Sequence, residues 1–230
     1  MSPASDNHVP FSPLPPKARP ETLLAQAGSR WCTRTGAVSM PIYHSSTFRH
    51  PGPGESTGFD YSRSSNPTRS ELERTLAGLE GGAQALAFSS GMAAIDAVLR
   101  LFAPGHTLLV LEDLYGGTWR LLEQVYKPWG LDIVYLDPGL PLPPQLLPHA
   151  KAVFVETPTN PLLRVIDLKG LIEAAHSHSQ LVLVDNTFLT FQLQRPLELG
   201  ADVTVYSGTK YLGGHNDLLA GVLIAREQVL

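Results

Sequence analysis

From Ser70 onward the chain alternates short, unbroken apolar runs with stretches of helical periodicity, and few architectures accept that pattern. The apolar runs are ALAF (85–88), TLLVL (107–111), DIVYL (132–136), AVFVE (152–156), LVLVD (181–185), DVTVY (202–206) and AGVLIA (220–225). Between them lie GMAAIDAVLRLF, GTWRLLEQVYK and DLKGLIEAAHSH. The run SELERTLAGLEGG precedes them all, with Ser70 as its predicted N-cap, Glu73 at the capping-box offset and a Gly pair at its end. Strands that are apolar throughout, rather than alternately, bury both faces. The expected fold class is therefore α/β, a mostly parallel sheet with helices on both faces. The Pro-rich stretch Pro138 to Pro148 reads as a surface loop.

Two segments precede this pattern. Residues 1–20 contain Pro3, Pro10, Pro13, Pro15, Pro16 and Pro20 and read as a disordered tail. A short helix is expected over Glu21 to Gly28, followed by a Gly-, Pro- and Ser-rich segment from Thr33 to Thr68. Its length, aromatics and arginines point to a functional segment rather than a connector. The expected division is thus a tail (1–20), an N-terminal arm (21–69) and a large domain (70–230).

Charge excludes some partners. The net charge of −4 and pI near 6.0, with scattered arginines, leave no basic stripe for nucleic acid. No apolar run approaches the roughly 18 residues of a membrane span, and no secretory signal is legible, so the expected location is cytoplasmic. Cys32 is the single cysteine and no metal-ligand spacing occurs.

In an open parallel sheet, ligands bind beyond the carboxyl ends of the strands. Five strand ends carry polar groups: Ser90-Gly91-Met92, Glu112 to Tyr115, Thr157 to Asn160, Asp185-Asn186-Thr187, and Ser207 to Lys210. Ser90-Gly91 is either a helix cap or, with Ser207 and Thr209, an anion cradle at a helix N-terminus. No GxxxxGK[ST] pattern supports a nucleotide triphosphate. Asp185 is either a turn former or the partner of a buried cation. Lys210 is either a surface lysine or a nucleophile; the other lysines, Lys17, Lys127, Lys151 and Lys169, fall in the tail or on helix and loop surfaces. Taken together, a lysine for an aldehyde, an aspartate for a ring nitrogen and donors for a phosphate are the three contacts that pyridoxal phosphate requires.

At these residues the sequence resembles the Cys/Met-metabolism family of pyridoxal-phosphate enzymes. The likeness runs from about Thr22 through TRTGAVSMPIYHSSTF, YSRSSNPT, LEGGAQALAFSSGMAAI, DLYGGT, ETPTNP, VDNTF and SGTKYLGGHNDLLAG. It implies an aspartate-aminotransferase-like (fold type I) cofactor domain binding pyridoxal 5'-phosphate. It further implies that Lys210 holds the cofactor as a Schiff base and moves protons, and that Asp185 keeps the ring nitrogen protonated. By the same resemblance Gly91, Met92, Ser207 and Thr209 bind the phosphate, and Tyr61 and Arg63 complete that site in a neighbouring subunit of a homodimer or homotetramer. Tyr115 stacks on the ring and assists proton transfer, Asn160 bonds the 3-hydroxyl or substrate carboxylate region, and Thr187 packs beside the ring.

The substrate class implied is a small sulfur amino acid. KYLGGHNDLLAG and LQRPLELGAD look most like bacterial cystathionine β-lyases, then the γ-synthases nearest to them; a γ-lyase or an O-acylhomoserine sulfhydrylase is the further alternative. The family also has a C-terminal small domain that supplies an arginine for the substrate carboxylate. No room for it follows AGVLIAREQVL, and Arg226 does not stand in its motif, so a catalytically incomplete cofactor-binding fragment is an expectation of a different class.

Overall fold

The computed structural model describes residues 18–28 and 35–226. Most of the expected tail, with Lys17 and Cys32, lies outside the described residues. By contact the chain forms two compact units, Met1–Leu79 and Glu80–Leu230. The division expected at 69/70 counts the following helix with the large domain, whereas its contacts group nearly all of that helix with the residues before it.

The N-terminal unit holds helix α1 (Pro20–Gln26), an irregular segment, and α2 (Pro67–Glu80), whose last residue belongs to the second unit. Helix α2 begins three residues before the predicted Ser70 cap. Asn66 is the residue that receives the first turn, its Oδ1 accepting the Thr68 N–H at 2.9 Å, and Pro67 occupies a position where no N–H is needed. Glu73 pairs with Arg69 at 3.5 Å. The irregular segment is ordered by specific bonds. Thr47 and Tyr61 form an isolated antiparallel bridge, and Arg69 donates to the carbonyls of Ser62 and Ser64.

All seven expected strands form, and they make one sheet: β1 (Gln84–Phe88), β2 (Thr107–Leu111), β3 (Asp132–Leu136), β4 (Ala150–Glu156), β5 (Leu181–Asp185), β6 (Val203–Ser207) and β7 (Gly221–Ala225). Their order is β1-β7-β6-β5-β4-β2-β3, parallel except that β7 runs antiparallel to both its neighbours. The mostly parallel α/β expectation holds. Leu108, Val110, Phe154, Leu183, Val205 and Leu223 share one core with Ala94, Ile95 and Val98 of α3 (Gly91–Leu99). The intervening Leu109, Val153, Val182, Val184 and Ile224 are equally buried. Burying a Val, Leu or Ile side chain contributes roughly 1.5–3 kcal/mol, so a two-sided run is held far more firmly than an amphipathic one.

Helix α4 (Gly116–Leu121) widens through Leu122–Tyr126 and continues as α5 (Lys127–Trp129). The widening sits just before Pro128, whose ring and missing N–H an ordinary turn does not accommodate. Helix α6 (Leu168–His176) is capped by Asp167 and buries Leu168, Leu171, Ile172 and Ala175. Two short helices absent from the sequence reading, α7 (Thr190–Leu193) and α8 (Pro196–Leu199), follow β5. No helix among the described residues is long and apolar enough to cross a membrane.

Candidate cofactor site

The five strand-end turns singled out in the sequence line one cavity of about 590 Å³. It receives Gly91 and Met92 after β1, Tyr115 after β2, Asn160 after β4, Asp185 and Thr187 at the end of β5, and Ser207, Thr209 and Lys210 after β6. Tyr61 and Arg63 belong to the N-terminal unit, where the Arg63 guanidinium lies 4.9 Å from the centre of the Tyr61 ring.

The β1 end shows the cap directly. Ser90 is a cap, its Oγ accepting the Ala93 N–H at 3.1 Å. Gly91 is a place of close approach: a Cβ there would come within 2.7 Å of the Ser207 Cβ and 2.9 Å of its Cα. Only glycine lets the first turn of α3 close against the end of β6. Thr209 is more committed than the sequence suggested, because its hydroxyl accepts the Ala220 N–H at 3.1 Å and donates to the Ala220 carbonyl at 3.3 Å.

Lys210 sits in a wide turn, Gly208–Leu212, closed by the Gly213 N–H donating to the Gly208 carbonyl at 2.8 Å. At Lys210 the backbone leaves helical geometry, with φ −91° and ψ −127°. Lys127 and Lys169 are paired with Glu123 and Glu173 one turn away, while no ion pair among the described residues involves Lys210.

Asp185 is buried, and burial raises its carboxyl. Thr187 opposes this by donating its N–H at 3.0 Å and its hydroxyl at 2.6 Å, both to Oδ1. Neither bond engages Oδ2, and Asp185 lines the cavity. Thr187 also accepts the Ser207 N–H at 2.9 Å, so it orients the aspartate and joins the ends of β5 and β6. The resemblance had implied only packing for it.

Glu156 is the residue that sequence reasoning missed. In the sequence it merely ends an apolar strand run, yet it lines the cavity, is 5% exposed and stands in register with Asp185 on the neighbouring strand. Burial, then the charge of Asp185, raise its carboxyl; bonds from the backbone of Tyr115 and of Asn160 act the other way. An acidic residue closing an otherwise apolar run was the available signal. Two buried carboxylates side by side are tolerated when one keeps a proton or a cation joins them, and the protonated nitrogen of a pyridine ring is such a cation.

Lys210, the buried carboxyls of Asp185 and Glu156 and the start of α3 thus line one cavity at the carboxyl ends of the strands. The model of the Cys/Met metabolism PLP-dependent enzyme family matches residues 21–230, and the chain belongs to that family, whose cofactor is pyridoxal 5'-phosphate. It is 54% identical over 212 residues to the cystathionine γ-synthase/O-acetylhomoserine (thiol)-lyase of Bacillus subtilis, covering 91% of this chain and 57% of that protein. It is 48% identical over 198 residues to a cystathionine β-lyase of Lactococcus lactis, covering 85% and 52%. The solved cystathionine γ-synthase of Xanthomonas oryzae superposes with a TM-score of 0.88 at 44% identity, over 91% of this chain and 55% of that one. The chain thus spans a little over half the length of these relatives.

Proposed function

We propose that this cavity holds pyridoxal 5'-phosphate for carbon–sulfur bond chemistry on a small sulfur amino acid of the cystathionine type. The observation that carries the reading is the convergence of Lys210, Asp185 and the Gly91–Ser207 cradle on a single cavity. Lys210 would attach the cofactor. Oδ2 of Asp185 would face the ring nitrogen, held there by Thr187, and the first turn of α3 with Met92 and Ser207 would receive the phosphate, joined by Thr209 once its hydroxyl turns from the Ala220 carbonyl. Tyr115 would cover the ring and Asn160 its oxygenated edge. Tyr61 and Arg63 of a second copy would complete the phosphate site in a homodimer or homotetramer.

When bound, the cofactor supplies an electron sink for charge developing at the substrate Cα. The chain supplies the proton transfers. Lys210 Nζ, released from the cofactor when the substrate amine takes its place, would accept the Cα proton, and the Tyr115 phenol, half-exposed at the cavity wall, would donate a proton to the departing sulfur.

The sequence favours β-elimination, cystathionine and water giving homocysteine, pyruvate and ammonia. A γ-replacement is the second reading, supported by the higher identity of relatives that carry synthase names. Absorbance and product assays test both levels. Pyridoxal phosphate added to the chain should give a visible band that Lys210→Ala lacks. Pyruvate from cystathionine marks a β-lyase; cystathionine from O-acetylhomoserine and cysteine marks a synthase. An identical spectrum in the alanine variant overturns the cofactor reading.

A further inference from the structure

Glu156 has no task in the chemistry just described, yet it is a demanding side chain to keep at that place. Its carboxyl is buried against Asp185 of β5 and feels Asp113 from the turn after β2, and Lys210 and Tyr115 line the same cavity. What holds it is a main-chain donor from the turn after β2, the Tyr115 N–H at 2.8 Å from its Oε2. That turn carries a side chain assigned to the cofactor.

We propose that Glu156 is a positioning residue, whose carboxyl clasps the main chain beneath Tyr115 and so fixes that side chain relative to Asp185. The proposal rests on the reading of the cavity as a pyridoxal-phosphate site. A carboxyl suits the task because either of its oxygens accepts, whereas an amide accepts in only one of its two orientations and in the other turns an NH₂ toward the backbone N–H. The register between β4 and β5 sets the clasp level with Asp185. A second link from the end of β4 to the same turn, the Thr159 hydroxyl donating to Asp113, remains when Glu156 is removed, so the turn need not unfold with the loss of the clasp.

The test compares Glu156→Ala and Glu156→Gln with the unsubstituted chain in two measurements. In hydrogen exchange without cofactor, the Tyr115 amide should exchange at least tenfold faster in Glu156→Ala, with β4, β5 and β6 unchanged. With pyridoxal phosphate added, the visible absorbance band should persist, while the circular dichroism induced in that band falls by at least half, because ring and tyrosine no longer share one fixed geometry. Glu156→Gln, whose single accepting oxygen must face the amide, should lie between; if the alanine variant does not fold, this partial loss of protection decides. Exchange at an unaltered rate at the Tyr115 amide overturns the clasp, and unaltered circular dichroism alongside faster exchange overturns its role in positioning. No visible band in the unsubstituted chain defeats the cofactor reading instead, and the exchange comparison still decides the clasp.

Discussion

Glu80 and Asp185 are both carboxylates taken out of water by the larger unit, and their surroundings differ. Glu80 is closed in by the protein's own donors. The Tyr206 hydroxyl donates to its Oε2 and the Thr204 hydroxyl to its Oε1 at 3.1 Å. Tyr206 in turn accepts from Asn186 Nδ2 at 2.9 Å, and Asn186 exchanges bonds with Gln194, whose amide reaches the Thr157 carbonyl. Asp185 receives its donors at one oxygen, and its strand neighbour Glu156 brings a second acid rather than a cation. A buried acid satisfied from within is a fixture of the fold. One left facing a cavity, beside another acid, is prepared for a positive partner that arrives from outside.

That contrast is broken or sharpened by substitution. The largest effect is expected from Glu80→Ala, which strips the acceptor from two buried hydroxyls. At about 1–3 kcal/mol for each orphaned group, urea denaturation should show a loss on the order of 4 kcal/mol, with cofactor affinity changed less than threefold. A stable variant with weak cofactor binding would erase the distinction between the two acids.

The next effect is one of pH. Burial pushes Glu80 up to about 7 from its ordinary 4.5. Between these values the unfolded chain has released a proton that the folded chain still holds, so stability is greatest below 4.5 and is lost as pH rises through 7. Glu80's share is on the order of 3 kcal/mol. In Glu80→Gln the decline in unfolding free energy between pH 5 and pH 7.5 should shrink accordingly; an unchanged slope would place the titration elsewhere.

Asp185→Asn should do the reverse of Glu80→Ala. An amide is easier to bury than the raised carboxyl and still accepts from Thr187, so stability should hold or rise. Losing a charge-assisted bond should weaken pyridoxal phosphate about tenfold in an absorbance titration. The smallest effect is expected from Thr187→Val, which removes the hydroxyl bridging Asp185 and the Ser207 N–H. A net loss of about 1 kcal/mol corresponds to roughly fivefold weaker cofactor binding, with no change in the pH slope.

The sheet was legible because its strands are buried on both faces, so each appears in the sequence as an uninterrupted apolar run. The strand ends were legible for the same reason, since Lys210, Asp185 and Tyr115 stand out against what precedes them. Glu156 did not stand out, because its meaning comes from register with Asp185, a relation that exists only once β4 and β5 pair. Glu80 is equally silent in LEGG: helical spacing gives a face, not the Tyr206 and Thr204 hydroxyls waiting on β6. Thr209 was read as a free donor, and its commitment to Ala220 follows from the turn that brings β7 back antiparallel. Asn66-Pro67 carried a legible start signal for α2, and the Ser70 capping pattern one turn later masked it.

Lys210 is the proposed point of attachment for the cofactor. Borohydride reduction of the chain with pyridoxal phosphate, followed by peptide mass mapping, tests this directly. A single reduced pyridoxyl group is expected on the peptide containing Lys210, absent in Lys210→Ala. Label spread over Lys127, Lys151 and Lys169, or retained in the alanine variant, would contradict it.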